Sequence, residues 1–204
     1  MPDRPASRPR KFPRQARARA TVAVLLEAAA RILEEDGPEA LTTNHIARRA
    51  GVSVGSLYQY FPSKEAILAE LIREVRREMC DDILRELAYV AGQPLNFGIA
   101  RLIRAVIHHH VHRAHRARLL EHLEERLPPD PESRALEIRA REAVTAYLAE
   151  HRVAEAEHAA FDLLNLVVGI AHPALHAGES DFEALARRIE PAAFGYLGLA
   201  PLRG

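Results

Sequence analysis

The strongest constraint on this chain is a period. From about Arg17 onward apolar residues recur at three- and four-residue spacing, and nowhere does an alternating pattern bounded by hairpin turns replace it. Side chains at that spacing gather on one face of a helix, and each face can be buried only against another helix, so the chain is predicted all-α. Val22, Leu25, Leu26, Ala29, Ile32 and Leu33 form the first stripe, and Gly37-Pro38 stops it. Thr42 or Thr43 can cap a short helix through Ala50, with Ile46, Ala47 and Ala50 on its apolar side, and Gly51 suits a left-handed turn. Ser53 can cap a second short helix reaching about Phe61. After Pro62-Ser63 an amphipathic stretch runs over residues 64–89. Gly92-Gln93-Pro94 interrupts it, and a stretch over 95–127, bent or divided near Arg116, follows. Pro128, Pro129 and Pro131 mark a loop. Residues 132–151, 155–176 and 181–199 complete the helices, with Gly178 separating the last two.

At 204 residues, with 48% hydrophobic and 27% charged side chains, the chain can bury a core, which excludes wholesale disorder. No apolar run is expected to reach the roughly 20 residues that span a bilayer. The longest, 161–171, is broken by Asp162 and Asn165, and the Arg-rich start leads into no signal-peptide segment. A cytoplasmic location without a membrane partner is therefore expected. The single cysteine, Cys80, excludes an intramolecular disulfide framework and a Cys-based zinc finger, and sits among charged residues with no nearby sequence partner. Lys and Arg balance Asp and Glu at 28 each, yet the distribution is uneven. Residues 1–20 carry Arg4, Arg8, Arg10, Lys11, Arg14, Arg17 and Arg19 against Asp3 alone, an excess of +6, and the rest of the chain offsets it. A basic arm ahead of an acidic body is a footprint of polyanion binding, because cations near phosphates release condensed counterions. A solvated tail is the alternative, and Pro2, Pro5, Pro9 and Pro13 favour disorder of the free arm, residues 1–16, under both readings.

Two short helices joined by a tight Gly turn and packed on a longer preceding helix meet the description of a helix-turn-helix. Ile46, Ala47, Val52, Leu57 and Phe61 would form the small core that fixes their angle. Val54, Gly55, Ser56, Gln59 and Tyr60 are left toward the exposed side or the start of the second helix, where small side chains let backbone approach base edges. Tyr58, Tyr60 and Lys64 can donate to phosphates. The run from Leu41 to Glu65, LTTNHIARRAGVSVGSLYQYFPSKE, resembles the TetR/AcrR family of bacterial transcriptional regulators, over roughly residues 20–70. That resemblance implies a three-helix DNA-binding head, residues 17–66, and a larger helical ligand-binding and dimerisation domain, residues 67–204. It further implies a homodimeric repressor that leaves a palindromic double-stranded operator when a small molecule binds the body. By the same resemblance Thr43 and Asn44 lie at the start of the supporting helix. Ser53, Val54, Gly55, Ser56 and Gln59 fall on the recognition helix, and Tyr58, Tyr60 and Lys64 at backbone-contact positions. Arg14 and Arg17 extend the basic arm toward DNA. Many members carry Lys, Arg or Pro in the first recognition turn, where this chain has Val54 and Gly55. Gln59 can read adenine and Val54 can touch a thymine methyl.

Outside the head, the histidine run 108–115 draws notice. His108, His112 and His115 share one helical face, a geometry compatible with a metal-responsive regulator, but that face continues through Arg101 and Arg104, as a solvated one does. No Asp or Glu lies between Ala100 and Leu120, and no metal or cofactor is assigned. His110 falls in line with Ile103 and Val106, and with Tyr147, Asn165 and His172, beside His176, it is assigned to a ligand pocket. Leu163, Leu166, Val167 and Ile170 with Leu185, Ile189, Phe194 and Leu197 are assigned to a four-helix dimer interface. There is no HExxH, no phosphate-cradling Gly loop and no nucleophile elbow, so the chain is not read as an enzyme. A helical interaction protein that does not bind DNA is the remaining alternative.

Overall fold

The computed structural model describes residues 14–112, 127 and 130–200; the side chains of residues 14, 15, 110–112 and 176 lie outside that description. Among the described residues every regular element is helical. The chain divides into two compact units, residues 1–70 and 71–204.

In the first unit, α1 (Arg14–Glu35) buries Leu25, Leu26, Ala29, Ile32 and Leu33, the stripe read from the sequence. Gly37 turns the chain at φ 82°, and a single 3-10 turn (Pro38–Ala40) leads to α2 (Thr43–Arg49). Ile46 and Ala47 are fully buried and Val52 half-buried. Gly51, at φ 69°, takes the left-handed turn that an L side chain would resist. α3 spans only Val54–Tyr58. The expected extension to Phe61 fails because the Tyr60 and Phe61 N–H groups both donate to the Leu57 carbonyl, at 2.9 and 3.0 Å, tightening the last turn before Pro62. That places Gln59 at the C-cap and Tyr60 beyond the helix. Leu57 and Phe61 still enter the core, and α4 (Lys64–Tyr89) begins in this unit with Ile67 and Leu68 buried.

The second unit contains the rest of α4 with α5 (Leu95–His112), α6 (Pro131–Glu150), α7 (Ala156–His176) and α8 (Phe182–Leu197). α5 packs chiefly on α8, and α6 on α7. Its core joins Ile83, Ile99, Ile103, Ile107, Val144, Leu148, Ala160, Leu163, Leu185 and Ile189. Cys80, expected among charged residues, is buried in this core, and burial pushes its thiol above the ordinary range. Polar bonds brace the surface. The Arg101 guanidinium donates twice to Glu86, at 2.8 and 2.9 Å, while Arg104 reaches Glu183 at 3.1 Å and Glu190 at 2.5 Å. Pro131, expected in a loop, is the first residue of α6, where its missing N–H costs nothing, and Asp130 caps that helix by accepting from the Ser133 N–H at 2.9 Å.

Two expectations need correction here. Leu163, Val167, Leu185, Ile189 and Phe194, assigned to a dimer interface, are buried in the chain's own core, whereas Leu166, Ile170 and Leu197 are only partly covered. The side chain of the assigned His110 lies outside the described residues; its neighbour His109 is buried on α5 with its Nδ1 3.6 Å from Asp82. Finally, over Ala156–Leu175 α7 has mean hydropathy 1.3 and is long and apolar enough to cross a bilayer by length and composition, because Asp162 and Asn165 dilute the run without ending it. Ala159, Ala160, Leu163, Val167 and Ala171 nevertheless form one buried stripe of that helix, as in the core of a bundle.

Candidate nucleic-acid interface

The two short helices of the first unit owe their starts to side-chain caps. Thr42 Oγ1 accepts from the His45 N–H at 3.2 Å, and Ser53 Oγ accepts from the Ser56 N–H at 3.0 Å. Helices of seven and five residues are too short to persist on propensity alone, so these caps and the Ile46, Ala47 and Leu57 anchors define them. α4 is started in the same way, with Ser63 Oγ accepting from the Ala66 N–H at 3.3 Å.

The caps also account for several assigned side chains. Ser53 and Ser56 hydroxyls bond each other at 2.8 Å, so both serve the turn. Thr43 Oγ1 and the Tyr58 hydroxyl lie 3.2 Å apart, tying the first turn of α2 to the last of α3. Tyr58 is still 51% exposed, leaving its ring edge and remaining hydroxyl capacity available. Asn44, Gly55, Gln59 and Lys64 are exposed, and Thr43, Val54 and Tyr60 half-buried. Arg17 is exposed on α1; the side chain of Arg14 and the arm over residues 1–13 lie outside the described residues.

Gly55 is the most informative of these positions. Its φ is not positive, and an added Cβ would meet nothing closer than Ser53 Oγ, at an ordinary 3.8 Å. Neither backbone conformation nor packing within the chain asks for glycine in the first turn of α3. Its value lies on the outer side, where a bare backbone lets another surface approach.

Sequence reasoning overlooked the ionic contacts behind this face. Arg49, in the last turn of α2, forms an ion pair with Glu35 and lies 3.6 Å from Asp36. His45 places Nδ1 3.1 Å from the Ala40 carbonyl oxygen and Nε2 4.0 Å from Asp36. Only the run of acids at 34–36 facing two basic residues on the next helix could have signalled them.

In the second unit the assigned pocket residues whose side chains are described differ in burial. Tyr147 is buried, which pushes its phenol upward, and its hydroxyl has no hydrogen-bond partner among the described residues. Asn165 instead is exposed and donates back to the Phe161 carbonyl at 2.7 Å, as amides on a solvent-facing helix side do. His172 is half-buried; the side chains of His110 and His176 lie outside the described residues. What the unit does hold is an apolar void of about 10 Å³ lined by Ile83, Leu102, Ile103, Val106, Val144, Leu163, Leu164 and Val167. Of the histidines raised as metal ligands, His108 is exposed, and the side chain of His112 and all of His115 lie outside the described residues.

Residues 25–71 match the family described as bacterial regulatory proteins, tetR family. The transcriptional repressor KstR of Mycolicibacterium smegmatis is 39% identical over 87 residues, 40% of this chain and 41% of that protein. The match thus spans about two fifths of the curated relative's length. In fold the likeness is longer. A TetR family transcription regulator from Marinobacter aquaeolei superposes with a TM-score of 0.68 at 19% identity, over 90% of this chain and 98% of that one. FadR of Bacillus subtilis, solved in complex with stearoyl-CoA, gives 0.66 at 18%, over 84% and 96%. Residues 25–71 thus match the tetR-family model, and the chain as a whole shares the all-helical fold of these solved regulators.

Proposed function

We propose that this chain is a sequence-specific DNA-binding regulator, a cytoplasmic homodimeric repressor released from a palindromic operator by a small molecule. The observation that carries the reading is the capped α2–α3 pair, where Gly55 has open space beside it and Asn44, Gln59 and Lys64 are likewise exposed. Asn and Gln can each read adenine through two hydrogen bonds in the major groove, while Lys64, Tyr58 and the arm cations hold phosphates. The test is binding, across a salt series, to a duplex enriched by the wild-type chain from a random library and to a scrambled duplex. Gln59→Ala is expected to lose roughly 1–3 kcal/mol of discrimination with the salt slope unchanged. Deleting residues 2–13 should weaken binding to both duplexes and flatten the slope. If neither change alters binding, this face and arm do not engage DNA.

The body supplies the release. At about 10 Å³ the void has no room for a ligand as it stands, but its all-aliphatic lining would suit the apolar part of one, such as the stearoyl-CoA bound by FadR has, if α4, α5, α6 and α7 moved apart to admit it. A ligand shifts the protein only by preferring the state that fits the operator poorly, typically with a coupling of about 1–3 kcal/mol. Dimerisation is assigned to the uncovered stripe of α7 and α8. Phe161 (51% exposed), Leu166, Gly169, Ile170 and Pro173 lie on α7, with Ala192, Gly195, Tyr196 (46%) and Leu197 on α8. The partly covered residues of the original assignment remain within it.

A further inference from the structure

The last turn of α1 breaks a rule of helix electrostatics. Glu34 and Glu35 close the helix, Asp36 follows, and no basic residue lies in that turn, although the negative end of a helix dipole favours cations. Departures of this kind persist where something else compensates. Here the compensating charges come from α2. Arg49 ion-pairs with Glu35, its other amino group is 3.6 Å from Asp36, and the His45 ring bridges Asp36 and the Ala40 carbonyl. The neighbouring Arg48 is exposed, and its side chain has no hydrogen bond or ion pair among the described residues. Both arginines are exposed, but only Arg49 is drawn into ion pairs with α1 and the residue that follows it.

We propose that Arg49 is a positioning residue for DNA recognition, clamping α2 through Glu35 and Asp36 at the angle on α1 that presents Asn44 and α3 to the groove, rather than a cation that contacts phosphate. The proposal rests on the DNA-binding reading above. Because α2 has only seven residues and is anchored by two buried side chains, a charge pair at its end has leverage over its tilt. The Thr43–Tyr58 hydroxyl contact carries any change in α2 to α3.

The experiment uses the full chain, a duplex enriched by the wild-type chain from a random library, and a scrambled duplex, read by fluorescence anisotropy at several salt concentrations. Arg49→Ala is expected to weaken the selected duplex about five- to tenfold while leaving scrambled binding and salt slope as in wild type. Arg48→Ala, which removes the same charge one residue away, should not reproduce that loss of discrimination. The paired exchange Glu35→Arg with Arg49→Glu should recover most of it. Glu35→Gln with Asp36→Asn gives the decisive sign and stands even if Arg49→Ala fails to fold. Removing two negative charges should raise binding to every duplex if only net charge matters, whereas loss of the clamp lowers binding to the selected duplex alone. A uniform rise, or an Arg49→Ala effect shared equally by both duplexes with a flattened slope, overturns the proposal. A wild-type chain that enriches no sequence would instead remove the DNA-binding reading on which it rests.

Discussion

Gly55 and Gly98 show how the same residue type answers to different partners. At Gly55 the added Cβ of Gly55→Ala has room, and alanine is the better helix former by roughly 0.5–1 kcal/mol, so the variant is expected to melt at or slightly above the wild-type temperature. Its affinity for operator DNA should fall all the same, because the methyl sits on the approaching face; unchanged affinity would show that nothing comes close there. At Gly98 the constraint is internal. A Cβ would lie 1.8 Å from the Tyr147 hydroxyl oxygen, inside any tolerable contact, and that ring is packed 4.6 Å from the His151 ring. Gly98→Ala should therefore cost about 1–3 kcal/mol in urea unfolding despite its better helix propensity, and Tyr147→Leu in the same chain should restore most of the loss. Tyr147→Phe alone should be neutral or stabilising, since the hydroxyl it removes is buried without a partner among the described residues.

Elements are where reading from sequence succeeds and fails most clearly. Thr42 and Ser53 were legible as caps because an Ncap oxygen and its N3 donor are three residues apart, a local rule. The end of α3 was not, because whether the Tyr60 and Phe61 N–H groups return to Leu57 depends on Phe61 being pulled into the core ahead of Pro62. Likewise the period of α5 shows which side is apolar, but not that His109 is buried with its Nδ1 3.6 Å from Asp82 on α4, a contact that no local pattern carries. Pro131 reads as loop beside Pro128 and Pro129, yet Asp130 caps a helix there by accepting from the Ser133 N–H, and Arg73, 57 residues away, braces the cap by donating at 3.0 Å. Partial burial pushes the Asp130 carboxyl up, but hydrogen bonds from Ser133 and the Arg73 guanidinium outweigh it and hold the group below its ordinary value. A folded-state value below the unfolded one contributes stability above the unfolded value of about 3.9, and that contribution is lost as pH falls through the folded value. Asp130→Ala should accordingly cost about 0.5–2 kcal/mol near neutrality, and the gap from wild type should close in acid. A gap independent of pH would assign the cost to packing instead.

For the whole molecule, the period foretold the helices but not which faces of α7 and α8 remain uncovered. Leu163, Val167, Leu185 and Ile189 have the composition of an interface and the burial of a core, and no single-chain pattern distinguishes the two. The uncovered stripe includes Gly169, where an added Cβ meets nothing within 4 Å. Gly169→Arg is therefore compatible with a folded chain yet places a charge in the middle of the proposed dimer contact, and sedimentation should show a monomer where wild type is a dimer. A variant that stays dimeric would move the contact elsewhere.

Sequence-specific recognition by a twofold-symmetric pair of heads is the claim on which the rest depends, and selection of duplexes from a random library by this chain tests it most directly. The expected product is an inverted repeat bound by an even number of chains, with half-sites spaced by about one helical turn or a multiple of it. Enrichment of no sequence, or of one without twofold symmetry, would contradict the account.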